Sequence, residues 1–361
     1  MGKKPSTDIL QPLGGQWSRR DLMKGTAATA AVFAVTGFPA VLRAKPSRLT
    51  IPNPGGAIEE AFKAAYFDTF TKKTGIEISG APYADTAKIK AMVENNAVDT
   101  DVIFTDAADA AVLARQGLLE PIDYGVIDKS KLLPEAGKEF YLLADVAAYA
   151  MAWNTKALTA DTRPKSWAEF FDPAKDAQRS LWKYPAQTLE VAAMATQPLD
   201  KLYPLDLDTA FSKLDAIKGS LTWWDSGAQG AQLIIDGETD VGSVWNGRLY
   251  KPRLEGASVD YTFDGALYVC DSIVIPKGAK NKTEAMEFIA NVMTAENQAT
   301  FAKHIPYGPV VPAAFDLLDD KTKEALPNSP QNSKNAVFQD FDYWAANGAE
   351  IIDRFNKWLI G

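Results

Sequence analysis

The chain is nearly without the residues that carry most protein chemistry. It has one cysteine, Cys270, and one histidine, His304, in 361 residues. A single cysteine excludes an intrachain disulfide and a thiolate metal cluster. A single histidine removes His-rich metal sites and leaves little room for a nucleophile–base pair. Cys270 lies in an apolar run and reads as a buried thiol; His304 reads as a helix-end residue. No G-x-S-x-G, P-loop or H-E-x-x-H pattern occurs, so no catalytic residue, metal or cofactor is expected. Basic residues are the minority, and the formal net charge of −8 disfavours nucleic acid as a partner. A long apolar run is missing too. The stretch from Gly25 to Leu42 is rich in Ala and Thr, broken by Gly37 and Pro39, and short of the ~20 residues a membrane span needs.

What precedes that stretch is informative. Ser18-Arg19-Arg20-Asp21-Leu22-Met23-Lys24 resembles a twin-arginine (Tat) export signal, with cleavage expected after Ala44, although Leu42 at −3 is not small. Residues 1–44 are therefore read as a signal peptide and the mature protein as a soluble periplasmic body. Without that segment 32 basic residues face 44 acidic ones, a formal charge of −12.

The remainder alternates strand and helix patterns, which indicates an α/β fold. Leu49–Ile51 reads as a strand, and Pro52-Asn53-Pro54-Gly55-Gly56 as a turn that either offers backbone N–H groups to a ligand or is only a tight turn. Ile58, Phe62, Tyr66 and Phe70 form a helical stripe that ends at Gly75. Asp101–Phe104 reads as a buried parallel strand with Asp106 at its end, suited both to a ligand and to capping the helix 107–116. The run 145–153, which contains Tyr149, and the run near 267–275 are nearly uncharged and read as crossings between two lobes. Further helices are expected over 86–95, 208–218, 227–235, 283–293, 296–303 and 353–359, and a short one after the capping box Ser166–Glu169.

Chemistry concentrates between Val241 and Pro276. The strand Val241–Trp245 ends in Trp245, Asn246, Gly247 and Arg248; a polar connector follows, and then Leu267–Val269 leads to Asp271 and Ser272. An aromatic face, a fixed cation and a carboxylate on neighbouring strand ends suit a small molecule charged at both ends.

These pieces run in the order found in a known family. F-T-K-K-T-G-I (70–76), D-V-I-F (101–104), S-W-A-E-F-F-D-P (166–173), D-G-E-T-D-V-G-S-V-W-N-G (236–247), D-S-I-V-I-P-K-G-A-K-N-K (271–282) and I-P-Y-G (305–308) resemble the periplasmic solute-binding proteins of ABC transporters, in particular the spermidine/putrescine-binding group. The resemblance implies a type II periplasmic binding protein: two α/β lobes joined by a two-strand hinge. Lobe 1 is expected to comprise 45–149 with 275–320, and lobe 2 150–274 with 321–361. The partners implied are a small amine ligand, a membrane permease and an ATPase, and the protein is expected to be a monomer. The resemblance places an ammonium on Asp271, the methylene chain of the ligand on Trp245, Tyr307 in the cleft, Gln339 on the ligand and Asp106 at the strand end, with Asn53 and Tyr149 as further candidates. A hydrolytic enzyme on this fold is a remote alternative. Related lobed proteins bind ferric iron through paired tyrosines; here the nearest doublet is Trp223-Trp224, and Asp319-Asp320 reads as a helix start.

The departures from that group decide the expected ligand. Val269 stands where an aromatic commonly cages the cation, K-Y-P-A-Q-T-L-E (183–190) keeps only Glu190 as an acid, and Arg248 follows W-N-G. A guanidinium in the cleft repels a polyamine and binds a carboxylate through a bidentate fork. A zwitterionic ω-amino acid such as γ-aminobutyrate is then the expected ligand. If Arg248 faces solvent or pairs with Glu255 or Asp260, a polyamine is expected instead.

Overall fold

The computed structural model describes residues 46–360, and the signal peptide read over 1–44 lies outside them. β1 (Arg48–Pro52) leads into a helix in three continuous pieces: α1 (Gly56–Phe62), a π-helical turn (Lys63–Phe67) and α2 (Asp68–Thr74). The expected stripe is its core face: Phe62, Tyr66 and Phe70 are buried, and Ile58 packs beside them. Gly75 ends the helix at φ 77°, its N–H donating to the Thr71 carbonyl at 2.8 Å. β2 (Glu77–Ala81) returns parallel to β1, and α3 (Thr86–Glu94), β3 (Ile103–Asp106), α4 (Ala107–Arg115) and β4 (Leu142–Leu143) follow.

β3 differs from the buried parallel strand expected over 101–104. It runs Ile103–Asp106 and is laddered antiparallel to β10 (Asp271–Val274). The start of the apolar run is used elsewhere. Asp101 and Val102 donate their N–H groups to the Thr50 carbonyl at 2.8 and 3.5 Å, and the Asp101 carboxylate accepts from Thr50 N–H at 2.8 Å. Those contacts tie β1 to the head of β3. β3, β10 and β4 form a three-stranded sheet beside the β1–β2 pair.

β5 (Ala147–Asn154), buried at every residue, opens the second sheet. Around it come α5 (Trp167–Phe170), β6 (Arg179–Trp182), α6 (Pro185–Ala193), α7 (Leu207–Ile217), β7 (Leu221–Trp224), α8 (Gly227–Ile235), β8 (Val241–Trp245), α9 (Asn246–Leu254) and β9 (Val259–Val269). After β10 the chain adds α10 (Lys282–Val292), α11 (Ala295–His304), α12 (Asp320–Ala325), β11 (Ala336–Phe338) and α13 (Phe341–Ile360), the last packed against α4 and α6. The order of the second sheet is β11-β9-β5-β8-β6-β7. The chain therefore passes between the two sheets three times: just before Ala147 and at Cys270, the two-strand crossing expected of this fold, and again between α11 and β11. The expected division at 274/275 groups β10 with lobe 2, whereas β10 is laddered with β3 and β4 of the first sheet.

Candidate ligand-binding cleft

At the crossing, the ends of β3, β8 and β10 surround a cavity of about 150 Å³. That is below the ~300–1,000 Å³ of sites for drug-sized molecules, so it suits a small solute. Asp106, Asp271, Cys270, Val269 and Ala147 line it together with Trp182, Gln187, Trp245 and Tyr307. Larger hollows lie elsewhere, and those of about 500 and 630 Å³ carry exposed charges of mixed sign, such as Lys165 with Asp264 and Lys131 with Glu296.

One pole of the cavity is acidic. Asp271 and Asp106 face each other in the β3–β10 register, and Asp145 lies behind, accepting the Asp271 N–H at 3.3 Å. Like charges directly across a ladder repel, and none of the three makes an ion pair among the described residues. Burial lifts all three carboxyls. Asp106 is pushed up to about 7 by burial and then by Asp109 and Asp271. Burial lifts Asp271 to about 6 and, with Asp271 itself, holds Asp145 well above the usual carboxylate range. Asp106 touches cavity space while protein surrounds it, which is why an outwardly exposed carboxylate behaves as a desolvated one. It also caps α4, accepting the Ala108 N–H at 2.8 Å. Ser272 holds the pair in place by donating to the Thr105 carbonyl at 3.0 Å. No trio of His, Cys, Asp and Glu among the described residues is grouped to hold a metal ion. The acid cluster suits an organic cation.

The wall is aromatic and fixed. Trp245 meets Trp182 and Trp224 edge-on, with ring centroids 5.1 and 5.3 Å away, and its indole N–H donates to Gln187 Oε1 at 2.8 Å. The W-N-G motif has a separate reason at each letter. Trp245 forms the wall. Asn246, buried, accepts from Ala148 N–H at 3.0 Å and donates to the Pro306 carbonyl at 2.7 Å, joining β5 to the loop that carries Tyr307. Gly247 leaves room for Tyr307, whose ring a Cβ there would meet at 2.7 Å.

The other pole is Arg248, exposed in the first turn of α9. It does not line the cavity but borders Trp245. A Cβ on Gly227, the first residue of α8, would meet both the Trp245 ring and Arg248 Nε, at 2.6 and 3.2 Å. Two helix N-termini and a guanidinium thus converge, an arrangement that favours an anion. The two acids weighed as partners for Arg248 are taken: Asp260 pairs with Arg253 at 3.0 Å and Glu255 with Lys251 at 3.9 Å. Tyr307 feels both poles, since burial, Asp271 and Asp145 push its hydroxyl up while Arg248 draws it down.

Of the expected site residues, Asp106, Asp271, Trp245 and Tyr307 line the cavity and Arg248 stands at its margin. Three lie elsewhere. Asn53 lines a separate hollow with Glu59 and Lys63, and its side chain is spent on Gly55 N–H at 3.0 Å. Tyr149 is fully buried behind the aromatic wall, its hydroxyl accepting from Trp182 N–H at 3.2 Å. Gln339 is buried and donates to Glu190 at 2.8 Å, so the contact expected with the ligand goes to a carboxylate instead. Sequence reasoning did not single out Trp182, Gln187 or Asp145. The visible signals were an acid opening a long uncharged run and a polar residue just after Tyr184-Pro185.

Two α/β layers crossed by two strands, with a small charged cavity at the crossing, make up the architecture of a solute-binding protein. The chain belongs to the family of bacterial extracellular solute-binding proteins, whose family model matches residues 65–331. It is 32% identical over 332 residues to the gamma-aminobutyric acid-binding protein of Pseudomonas aeruginosa, an alignment spanning 89% of this chain and 93% of that protein. It is 25% identical over 290 residues to the spermidine/putrescine-binding periplasmic protein of Escherichia coli, spanning 76% and 82% of the two. Among solved structures it is similar to a GABA receptor, with TM-score 0.79 and 39% identity over 86% of this chain and 97% of that one.

Proposed function

We propose that this protein captures a short ω-amino acid, γ-aminobutyrate or a close homologue, for an ABC importer. The observation that carries the reading is Arg248, a guanidinium with no ion pair among the described residues, beside the Trp245 wall of a cavity whose other charged groups are acids. The ligand's ammonium meets Asp271 and Asp106, its methylenes lie against Trp245 and Tyr307, and its carboxylate meets the fork of Arg248. A polyamine would set a cation against that fork, which costs about 4 kcal/mol at 4 Å and an effective dielectric of ~20. The likeness to a gamma-aminobutyric acid-binding protein supports the same choice. A polyamine is the second reading, favoured by three unpaired acids at one pole and by the spermidine/putrescine-binding relative.

In this reading the protein works in the periplasm after export by the twin-arginine route, as a monomer, and delivers ligand to a permease and its ATPase without catalysis. The lobes of this reading are 45–149 with 275–320 and 150–274 with 321–361, except that β10 goes with the first sheet. The test is a thermal-shift panel of γ-aminobutyrate, β-alanine, putrescine, spermidine and glycine betaine. A ligand at 100 times its dissociation constant adds about 2.7 kcal/mol of stability. Arg248→Ala should abolish the γ-aminobutyrate shift and leave putrescine weak or improved. A wild type stabilised by putrescine or spermidine and not by either amino acid overturns the reading.

A further inference from the structure

We propose that Glu190 is a positioning residue: through Gln187 it fixes the indole of Trp245, and through Gln339 and Trp344 it ties that wall to the carboxyl-terminal segment. The proposal rests on the reading that Trp245 carries the ligand.

Glu190 is fully buried in α6 and makes no ion pair among the described residues. Its partners are donors. Oε1 accepts from Gln339 Nε2 at 2.8 Å, from the Tyr203 hydroxyl at 3.0 Å and from the Trp344 indole N–H; Oε2 accepts from the Gln187 backbone N–H at 2.6 Å. Three of these four are N–H groups that cannot accept, so the acceptor-only carboxylate is the form the pocket fits. A buried charge without a cation is costly unless its lone pairs are all used, and here four donors converge on them.

The arm toward the cleft passes through a strained residue. Gln187 has φ 71° and ψ −41°, near the γ-turn geometry that non-glycine residues rarely hold. Its N–H is anchored on Glu190, and its side-chain Oε1 accepts the Trp245 indole N–H at 2.8 Å. The relay is thus carboxylate, backbone amide, side-chain amide, indole. The outer arm reaches Gln339, which follows β11 and donates its own N–H to the Tyr268 carbonyl at 2.9 Å, and Trp344 in α13.

Glu190→Gln keeps the shape but turns one acceptor into a donor facing donors. Two measurements read the result. The Trp245 indole N–H resonance in ligand-free protein, assigned with Trp245→Phe, should shift and exchange faster with water. Calorimetry with γ-aminobutyrate should show about tenfold weaker binding, the size of one lost hydrogen bond to a charged group. Gln187→Asn, too short to reach the indole, should match both effects, and the double variant should be no worse than either single one. A folded Glu190→Gln protein with an unmoved indole resonance overturns the proposal, as do additive losses in the double variant. Should Glu190→Gln fail to fold, Trp344→Phe removes an outer donor without entering the cavity and should move the same resonance; no movement overturns the proposal. Because the resonance is read without ligand, a wild type that ignores γ-aminobutyrate sinks the functional reading and leaves this test standing.

Discussion

Asp106 and Asp271 were visible in the sequence as strand-end acids, but their electrostatic state was not. It depends on Asp145, which arrives from the segment between β4 and β5, and on burial of the crossing. Both carboxyls titrate above the ~3.9 of an unfolded aspartate, near 7 and 6. Between about pH 4 and pH 7 the ligand-free folded state therefore binds more protons than the unfolded one, and these groups make it less stable as pH rises. An ammonium ligand reverses the preference by favouring the ionised pair. Affinity for an amine should climb from pH 5 to pH 8 with proton release, measurable by calorimetry in buffers of different ionisation enthalpy; a flat profile would remove the acids from the site. Asp271→Asn should weaken every amine ligand by roughly 1.5–3 kcal/mol, the worth of a hydrogen bond to a charged group, and unchanged dissociation constants would count against it. Gln339 shows the limit of reading by motif: its position was legible, and its partner was a carboxylate no linear pattern reveals.

At the scale of elements, the helices with clear stripes and caps were legible, from the Phe62–Phe70 face to the Ser166 cap of α5. The connector after Trp245 was not. It holds α9, whose N-G-R-L-Y-K-P-R-L has little apolar period and a proline, and which is held by burial of Asn246 and Leu249. β6 and β7 were missed because their partners lie far along the chain: β6 pairs with β7 and β8, both parallel. The tight approach of α9 to the Tyr307 loop gives a prediction. Gly247→Ala sets a Cβ against the Tyr307 ring and should cost about 1–3 kcal/mol of stability, as overpacking does. It should weaken ligand binding as well, read by thermal melts with and without ligand. Wild-type values for both would mean that the loop yields freely.

For the whole molecule, the two uncharged crossings were the legible clue to two lobes, because only strands buried on both faces can afford runs such as 147–154. The place of β10 in the first sheet was not legible, since it depends on antiparallel pairing with β3. The cavity draws its lining from both layers, so a solute held there touches both, and closure of the lobes about the crossings would shut it in. Small-angle X-ray scattering should show a smaller radius of gyration at saturating γ-aminobutyrate than in its absence. Identical values would argue against hinge closure. The three indoles at the cleft, with centroids 5.1 to 5.9 Å apart, give this closure an optical signature. Light absorbed by one is shared with the others before emission, and the indole proposed to carry the solute touches both neighbours. The protein should therefore announce an arriving molecule in its own fluorescence, with no dye attached.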